Sequence, residues 1–269
     1  RSIPGAASGA ILGLQVYMNP SRFVVVFRGL TPPRRARPTD PPEEPLLQAS
    51  NQRTPIQALP APAPDICVVI PVLNERDNVA PLVDRLRLTL DGLAWKAVFV
   101  DDGSTDGTRA AVVALGRQDG RIRLVHRAAR RGLASAFVEG AECSLAPYIA
   151  ALDGDLQHDE TLLPRMLDAL RTQPLDVVIG SRYIAGGNLG TWDKRRASLS
   201  GLATRMSRAV LRADVTDPMS GFFMLPRENF EKLAPLLTGK GFKILLDIVA
   251  TADGKLRTIE VPFTFGSRQ

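Results

Sequence analysis

Residues Ile66 to Val100, ICVVIPVLNERDNVAPLVDRLRLTLDGLAWKAVFV, decide the fold class. Ile66 to Val72 is an apolar run without polar alternation, the pattern of a strand buried on both faces. Asn74 and Glu75 follow it. Val79 to Leu90 then carries apolar residues at helical spacing, and Lys96 to Val100 is a second short apolar run. Strand, amphipathic helix and strand in this order are the sequence form of a βαβ unit and a parallel pair.

Downstream the alternation continues. Ile122 to Val125, Tyr148 to Leu152 and Val177 to Gly180 read as strands, and Thr108 to Gly116, Leu133 to Ser144 and Thr161 to Leu170 as helices. The expected class is α/β, doubly wound, with a mostly parallel sheet flanked by helices. The second half is less regular. Helices are expected at Leu199 to Leu211, Arg227 to Leu237 and Ile244 to Ala252, with strands at Gly221 to Leu225 and Leu256 to Val261.

Upstream the character changes. Residues 1–64 hold 12 of the 21 prolines and no periodic apolar face, so they read as a Pro-rich, disordered extension to a folded domain of residues 65–269. Much of the formal charge of +6 lies there, as seven Arg against three acids, while the rest has 27 basic and 25 acidic residues. With few aromatics and no basic run interleaved with them, no nucleic-acid groove is expected. No apolar stretch reaches the roughly 18 residues that span a bilayer. Cys67 and Cys143 have neither metal nor redox spacing and read as small core hydrophobes in a reducing compartment.

In open α/β sheets ligands sit beyond the carboxyl ends of the strands. All five exits here are polar: Asn74 and Glu75, Asp101 and Asp102, Arg127 and Arg130, Asp153 and Asp155, Ser181 and Arg182. Parallel strands would gather them into one charged crevice. Asp153, Asp155 and Gln157 offer hard oxygen donors at alternate positions after a buried strand, which suits Mg²⁺ or Mn²⁺ completed by diphosphate oxygens. The alternative is that the two acids cap the helix near Thr161. In the DDGSTDG segment, Asp102 is read as a ligand contact able to accept an N–H from a nucleobase, and Asp106 as a structural turn residue. Arg130 and Arg131 face either a diphosphate or solvent. His126 and His158 lack metal-ligand spacing, and no nucleophile elbow, dinucleotide fingerprint or P-loop occurs.

Taken in order, PVLNE, VDDGSTDGT, RRGLASA, DGDLQH, GSRY, DPMSGF and FTFGSR resemble family 2 glycosyltransferases, most of all the dolichyl-phosphate mannose synthase-like polyprenyl-phosphate mannosyl and glucosyl transferases. The resemblance runs from Ile66 to Arg268. It implies a GT-A, Rossmann-like fold, a nucleotide-sugar donor of the GDP-mannose or UDP-glucose class, a divalent metal, and inverting transfer of mannose or glucose to a polyprenyl phosphate. It implies that Pro71, Leu73 and Glu75 line the nucleoside, that Asp102 reads the base, and that Asp153, Asp155 and Gln157 surround the metal. Leu73 stands where relatives often have Tyr. Arg182, Arg196, Ser200 and Arg268 match positions facing donor or acceptor phosphates, and Asp217 and Ser220 lie near the sugar and acceptor. Asp155, Arg196 and Arg268 are the catalytic candidates.

Relatives commonly continue past this Arg into membrane helices. The resemblance therefore implies a full-length protein anchored at the cytoplasmic face of a membrane, with the present stretch soluble by itself. A phosphate acceptor is already an anion and needs no general base. Transfer to a saccharide or protein hydroxyl would need a base that the sequence does not place, and a nucleotide-sugar-binding protein without turnover would not need these carboxylates intact.

Overall fold

The computed structural model describes residues 63–128, 132–188, 215–239, 243–253 and 255–266. Their order is β1 (Ile66–Val72), α1 (Arg76–Thr89), β2 (Trp95–Asp101), α2 (Thr108–Gln118), β3 (Ile122–His126), α3 (Leu133–Glu142), β4 (Tyr148–Ala151), α4 (Leu163–Thr172), β5 (Val177–Ser181), β6 (Phe223–Pro226), α5 (Arg227–Leu233), α6 (Ile244–Thr251) and β7 (Thr258–Pro262). One seven-stranded sheet runs β3-β2-β1-β4-β6-β5-β7. The β1–β2, β2–β3, β1–β4 and β5–β7 pairs are parallel, and β6 is antiparallel to both β4 and β5. Strands β1 to β5 therefore all point one way, and their carboxyl ends share one rim.

The uniform apolar run of β1 is explained by its neighbours. Ile66, Val68, Ile70 and Val72 pack with Leu82, Val83 and Leu86 of α1 and with Met166 and Leu167 of α4. Cys67 and Val69 point the other way, into a second core with Phe137 of α3 and Leu245 and Ile248 of α6. Each wholly buried aliphatic side chain contributes about 1.5–3 kcal/mol, so a one-residue slip of register would be strongly opposed from both faces. Helix α3 comes close because Gly140 has no side chain: a Cβ there would stand 2.5 Å from Val69 Cγ1.

Differences from the sequence reading have local causes. Helix α1 starts at Arg76, three residues before its apolar face begins, because Arg76 N–H is held by Asp106 at 3.0 Å. Cys143 is exposed, not core: α3 ends at Glu142 and the thiol follows it. Cys67 is buried as expected, and burial pushes its thiol up to about 11. The expected helix at Leu199 to Leu211 lies outside the described residues. Among the described residues no helix is long and apolar enough to cross a membrane.

Candidate functional site

The exits of β1 and β2 are stitched together. Asn74, with φ at 57°, donates its N–H to Ser104 Oγ at 2.9 Å and accepts the Thr105 N–H on its side chain at 2.9 Å. Glu75 N–H reaches Thr108 Oγ1 at 2.9 Å, and its carboxylate accepts from Asn78 at 2.6 Å. Pro71, Leu73 and Glu75 are all half-buried along this edge. Asp106 is structural, as read: it accepts the Thr108 N–H at 2.9 Å at the first residue of α2.

The adjacent acids at the end of β2 turn inward. Asp101 accepts the Ser104 N–H at 2.9 Å and lies 3.3 Å from His126 Nδ1. Asp102 accepts Arg127 Nη1–H at 2.8 Å on one oxygen and Gly132 N–H at 3.0 Å on the other. The Arg127 guanidinium is wholly buried and also donates to Gly132 O at 3.0 Å and Ser135 Oγ at 2.6 Å, with Glu139 at 3.3 Å from Nε. Gly132, at φ 91°, adopts the conformation that lets its N–H and its carbonyl serve this cluster at the start of α3. Arg127 was legible as a strand-exit residue, but not as a buried one, because its partners lie in two other segments, the end of β2 and the first turns of α3.

After β4 the chain makes a tight turn in which Leu156 holds φ at 62°, a strained value for a bulky residue. Asp155 Oδ1 accepts the Gln157 N–H at 3.2 Å within the turn. Asp153 is half-buried, and its carboxylate rests on Gly221, where a Cβ would stand 2.8 Å from Oδ2. Gln157 donates its side-chain Nε2–H to Gly266 O at 2.9 Å. The capping alternative falls to a different residue: Asp159 accepts the Thr161 N–H at 3.1 Å. Among the described residues no three His, Cys, Asp or Glu side chains converge tightly enough to hold a metal by themselves.

His158 backs this turn. Its Nδ1 accepts the Asp153 N–H at 3.2 Å, and Nε2 lies 3.5 Å from Asp153 Oδ2. The ring stacks on Phe222 and meets the edges of Phe263 and Phe265, with centroids 5.3–5.6 Å apart. Burial holds its pKa below the ordinary imidazole value, so the ring is neutral.

At the end of β5, Arg182 is bound by both Nε and Nη2 to Asp217 at 2.8 Å, and both residues are buried. Glu260 of β7 accepts the Thr216 and Asp217 N–H groups at 3.0 Å and the Thr216 hydroxyl. Ser220 Oγ donates to Gly180 O at 2.7 Å. Lys243, before α6, donates to Met219 O at 3.0 Å, and burial together with the charge of Arg182 depresses its pKa. Arg182, Asp217 and Ser220 thus gather beside Asp153 along with Lys243, and Glu260 stands behind Asp217; the sequence reading missed both Lys243 and Glu260. Lys243 precedes an expected helix and Glu260 lies inside an expected strand, neither carries a motif, and only folding brings them against Met219 and Asp217. Arg130, Arg196, Ser200 and Arg268 lie outside the described residues.

Comparisons agree with this geometry. Residues 67–234 match the family described as Glycosyl transferase family 2. A dolichol-phosphate mannosyltransferase of Pyrococcus furiosus is 36% identical over 208 residues, covering 76% of this chain but 57% of that protein, so the chain spans little more than half its length. The dolichol-phosphate mannosyltransferase of Saccharomyces cerevisiae is 35% identical over 210 residues, 75% of this chain and 77% of the relative. Glucosyl-3-phosphoglycerate synthase of Mycobacterium tuberculosis, solved with Mn²⁺, UDP-glucose and phosphoglyceric acid, superposes with a TM-score of 0.61 at 22% identity, covering 77% of this chain and 72% of that one. With its parallel strands, the antiparallel β6 between β4 and β5 and the acidic turn after β4, the chain belongs to glycosyltransferase family 2 and has the GT-A fold.

Proposed function

We propose that this chain transfers mannose or glucose from a GDP- or UDP-linked sugar to a polyprenyl phosphate, with inversion at the anomeric carbon, at the cytoplasmic face of a membrane. The observation that carries this reading is the Asp153–Gln157 turn. Two carboxylates end a buried strand in a turn strained at Leu156, while the helix cap they might have supplied comes from Asp159. The names of the two dolichol-phosphate mannosyltransferases favour mannose and a lipid phosphate.

A divalent cation, Mg²⁺ or Mn²⁺, fits these residues. Asp153 and Asp155 supply hard oxygen donors, and the bare Cα of Gly221 leaves the cradle under Asp153 that a Cβ would fill. Asp153, Asp155 and the Gln157 amide oxygen would hold the ion, with diphosphate oxygens as its further donors. When bound there, such an ion would supply positive charge for the departing nucleoside diphosphate.

The chain's own groups do the rest. Asp102, gripped by Arg127 and Gly132, accepts an N–H from the base, while Pro71, Leu73 and Glu75 line the nucleoside. Arg182, locked on Asp217, fixes the segment through Ser220 beside the sugar position. Arg130 faces the donor diphosphate, and Arg196, Ser200 and Arg268 orient the acceptor phosphate, with bidentate guanidinium geometry suited to it. The anionic acceptor attacks without a base, in keeping with a His158 that is enclosed and neutral. Residues 1–64 are an extension to the catalytic domain of residues 65–269.

The test is a transfer assay with Mn²⁺, a polyprenyl phosphate, and GDP-mannose or UDP-glucose in parallel. Metal-dependent formation of one glycosyl phosphate of inverted anomeric configuration, read by NMR, is expected. Donor binding without product in the presence of acceptor would overturn the enzyme reading in favour of a nucleotide-sugar-binding protein.

A further inference from the structure

The segment after β7 is held on both sides. On one side Asn188 donates its N–H to Phe263 O at 3.0 Å and accepts the Phe265 N–H at 2.8 Å, a short parallel bridge through Thr264. On the other, Gly266 N–H reaches Gln157 O at 2.8 Å, and Gln157 Nε2–H returns to Gly266 O at 2.9 Å. This reciprocal pair joins residues 109 positions apart in sequence. The approach is close: a Cβ on Gly266 would stand 3.4 Å from the Gln157 Cα and from the carbonyl oxygens of Gln157 and Leu156. Phe263 and Phe265 complete the dock by packing against His158, the residue after Gln157.

We propose that Gln157 is a positioning residue, whose amide N–H latches the Phe263–Gly266 segment to the carboxylate turn and so holds that segment at the rim of the site. The amide has two ends with different work. Its Nε2 is committed to Gly266, and only its Oε1 is available in chemistry to a cation, because an amide nitrogen is a donor and not a ligand. Occupancy of the carboxylate turn and docking of the last segment are then linked through one planar group. This inference rests on the reading that Asp153 and Asp155 hold a divalent cation, but the latch itself is measurable without one.

Gln157→Glu separates the two ends, since it keeps an oxygen at Oε1 and replaces the N–H donor with an acceptor facing the Gly266 carbonyl. At pH 8, amide hydrogen exchange at Phe265 and Gly266 is expected to accelerate roughly three- to tenfold, the loss of about one hydrogen bond. Mn²⁺ affinity, read by the EPR signal of the unbound ion, should stay within about threefold, because a carboxylate is at least as good a hard ligand as an amide oxygen. The KM for polyprenyl phosphate should rise by a larger factor than that for the nucleotide sugar. Unchanged exchange at Gly266 in the folded variant overturns the latch, and so does a loss of Mn²⁺ affinity with exchange unaltered, which would make Gln157 a ligand alone. If the parent protein binds no Mn²⁺, the cation reading fails and the exchange measurement still decides the latch.

Discussion

Two acidic pairs end strands on either side of β1 in the same sheet and have opposite fates. Asp101 and Asp102, after β2, have side chains only 1% and 11% exposed and are surrounded by donors from Ser104, Arg127 and Gly132. Asp153, after β4, has a side chain 37% exposed, and Asp155 beside it is half-buried. The first pair is built into the protein, so its removal should be felt first in folding, and at Asp102 in donor binding as well. The second stands at the mouth of the crevice, so its removal should be felt in chemistry. Carboxylates after a strand announce a rim, but the donors that converge on them decide whether they face inward or outward.

The contrast can be broken first at Arg127. Arg127→Met leaves Asp102 and Glu139 facing each other without their guanidinium, and breaking a buried pair in this way costs about 3–5 kcal/mol. Urea unfolding should show that loss, and a change below about 1 kcal/mol would erase the distinction between the pairs. Asp155→Ala probes the other side. Transfer and Mn²⁺-dependent nucleotide binding should fall by about 10²–10³-fold, while stability stays within about 0.5 kcal/mol. A folded variant with undiminished metal-dependent affinity removes the outward pair from the chemistry.

A smaller effect sharpens the comparison through His158. Because burial depresses its native pKa, the unfolded chain takes up a proton below the ordinary value of 6.5 that the native state refuses. Stability from this group is complete above that value and declines as the pH falls, with a slope approaching about 1.4 kcal/mol per pH unit. Thermal melts from pH 7 to 5 should show the decline, and His158→Phe should flatten it; an identical slope in the variant would reassign the pH dependence elsewhere. The smallest change expected is for Asp106→Ala, which removes the acceptor at the start of α2 and should lower stability by about 1 kcal/mol without altering donor affinity. A fall in donor affinity at unchanged stability would move Asp106 from the turn to the ligand.

Most of the sheet was readable because β1, β2, β4 and β5 are buried on both faces, which leaves uninterrupted apolar runs in the sequence. The direction of β6 was not, since a four-residue apolar strand carries no mark of polarity, and only pairing with β4 and β5 sets it. The carboxylates at the rim were visible as strand exits. Their roles were less so, because a guanidinium looks the same in sequence whether it meets solvent or, like Arg182, an Asp 35 residues away. Cys143 shows the same limit at a helix end, where helical spacing persists one residue beyond the helix.

The reversed strand has a consequence for how such a protein can diversify. Since β6 runs against β5, the excursion through residues 182–222 leaves the rim and returns to it. Its two feet are clamped by the Gly180 to Phe222 backbone bond at 2.8 Å and by the Arg182–Asp217 pair. With the feet fixed, lengthening the span between them adds only about 0.6 kcal/mol of closure entropy per doubling. Such an excursion can change in length while strands β1 to β4 and their acids keep their geometry.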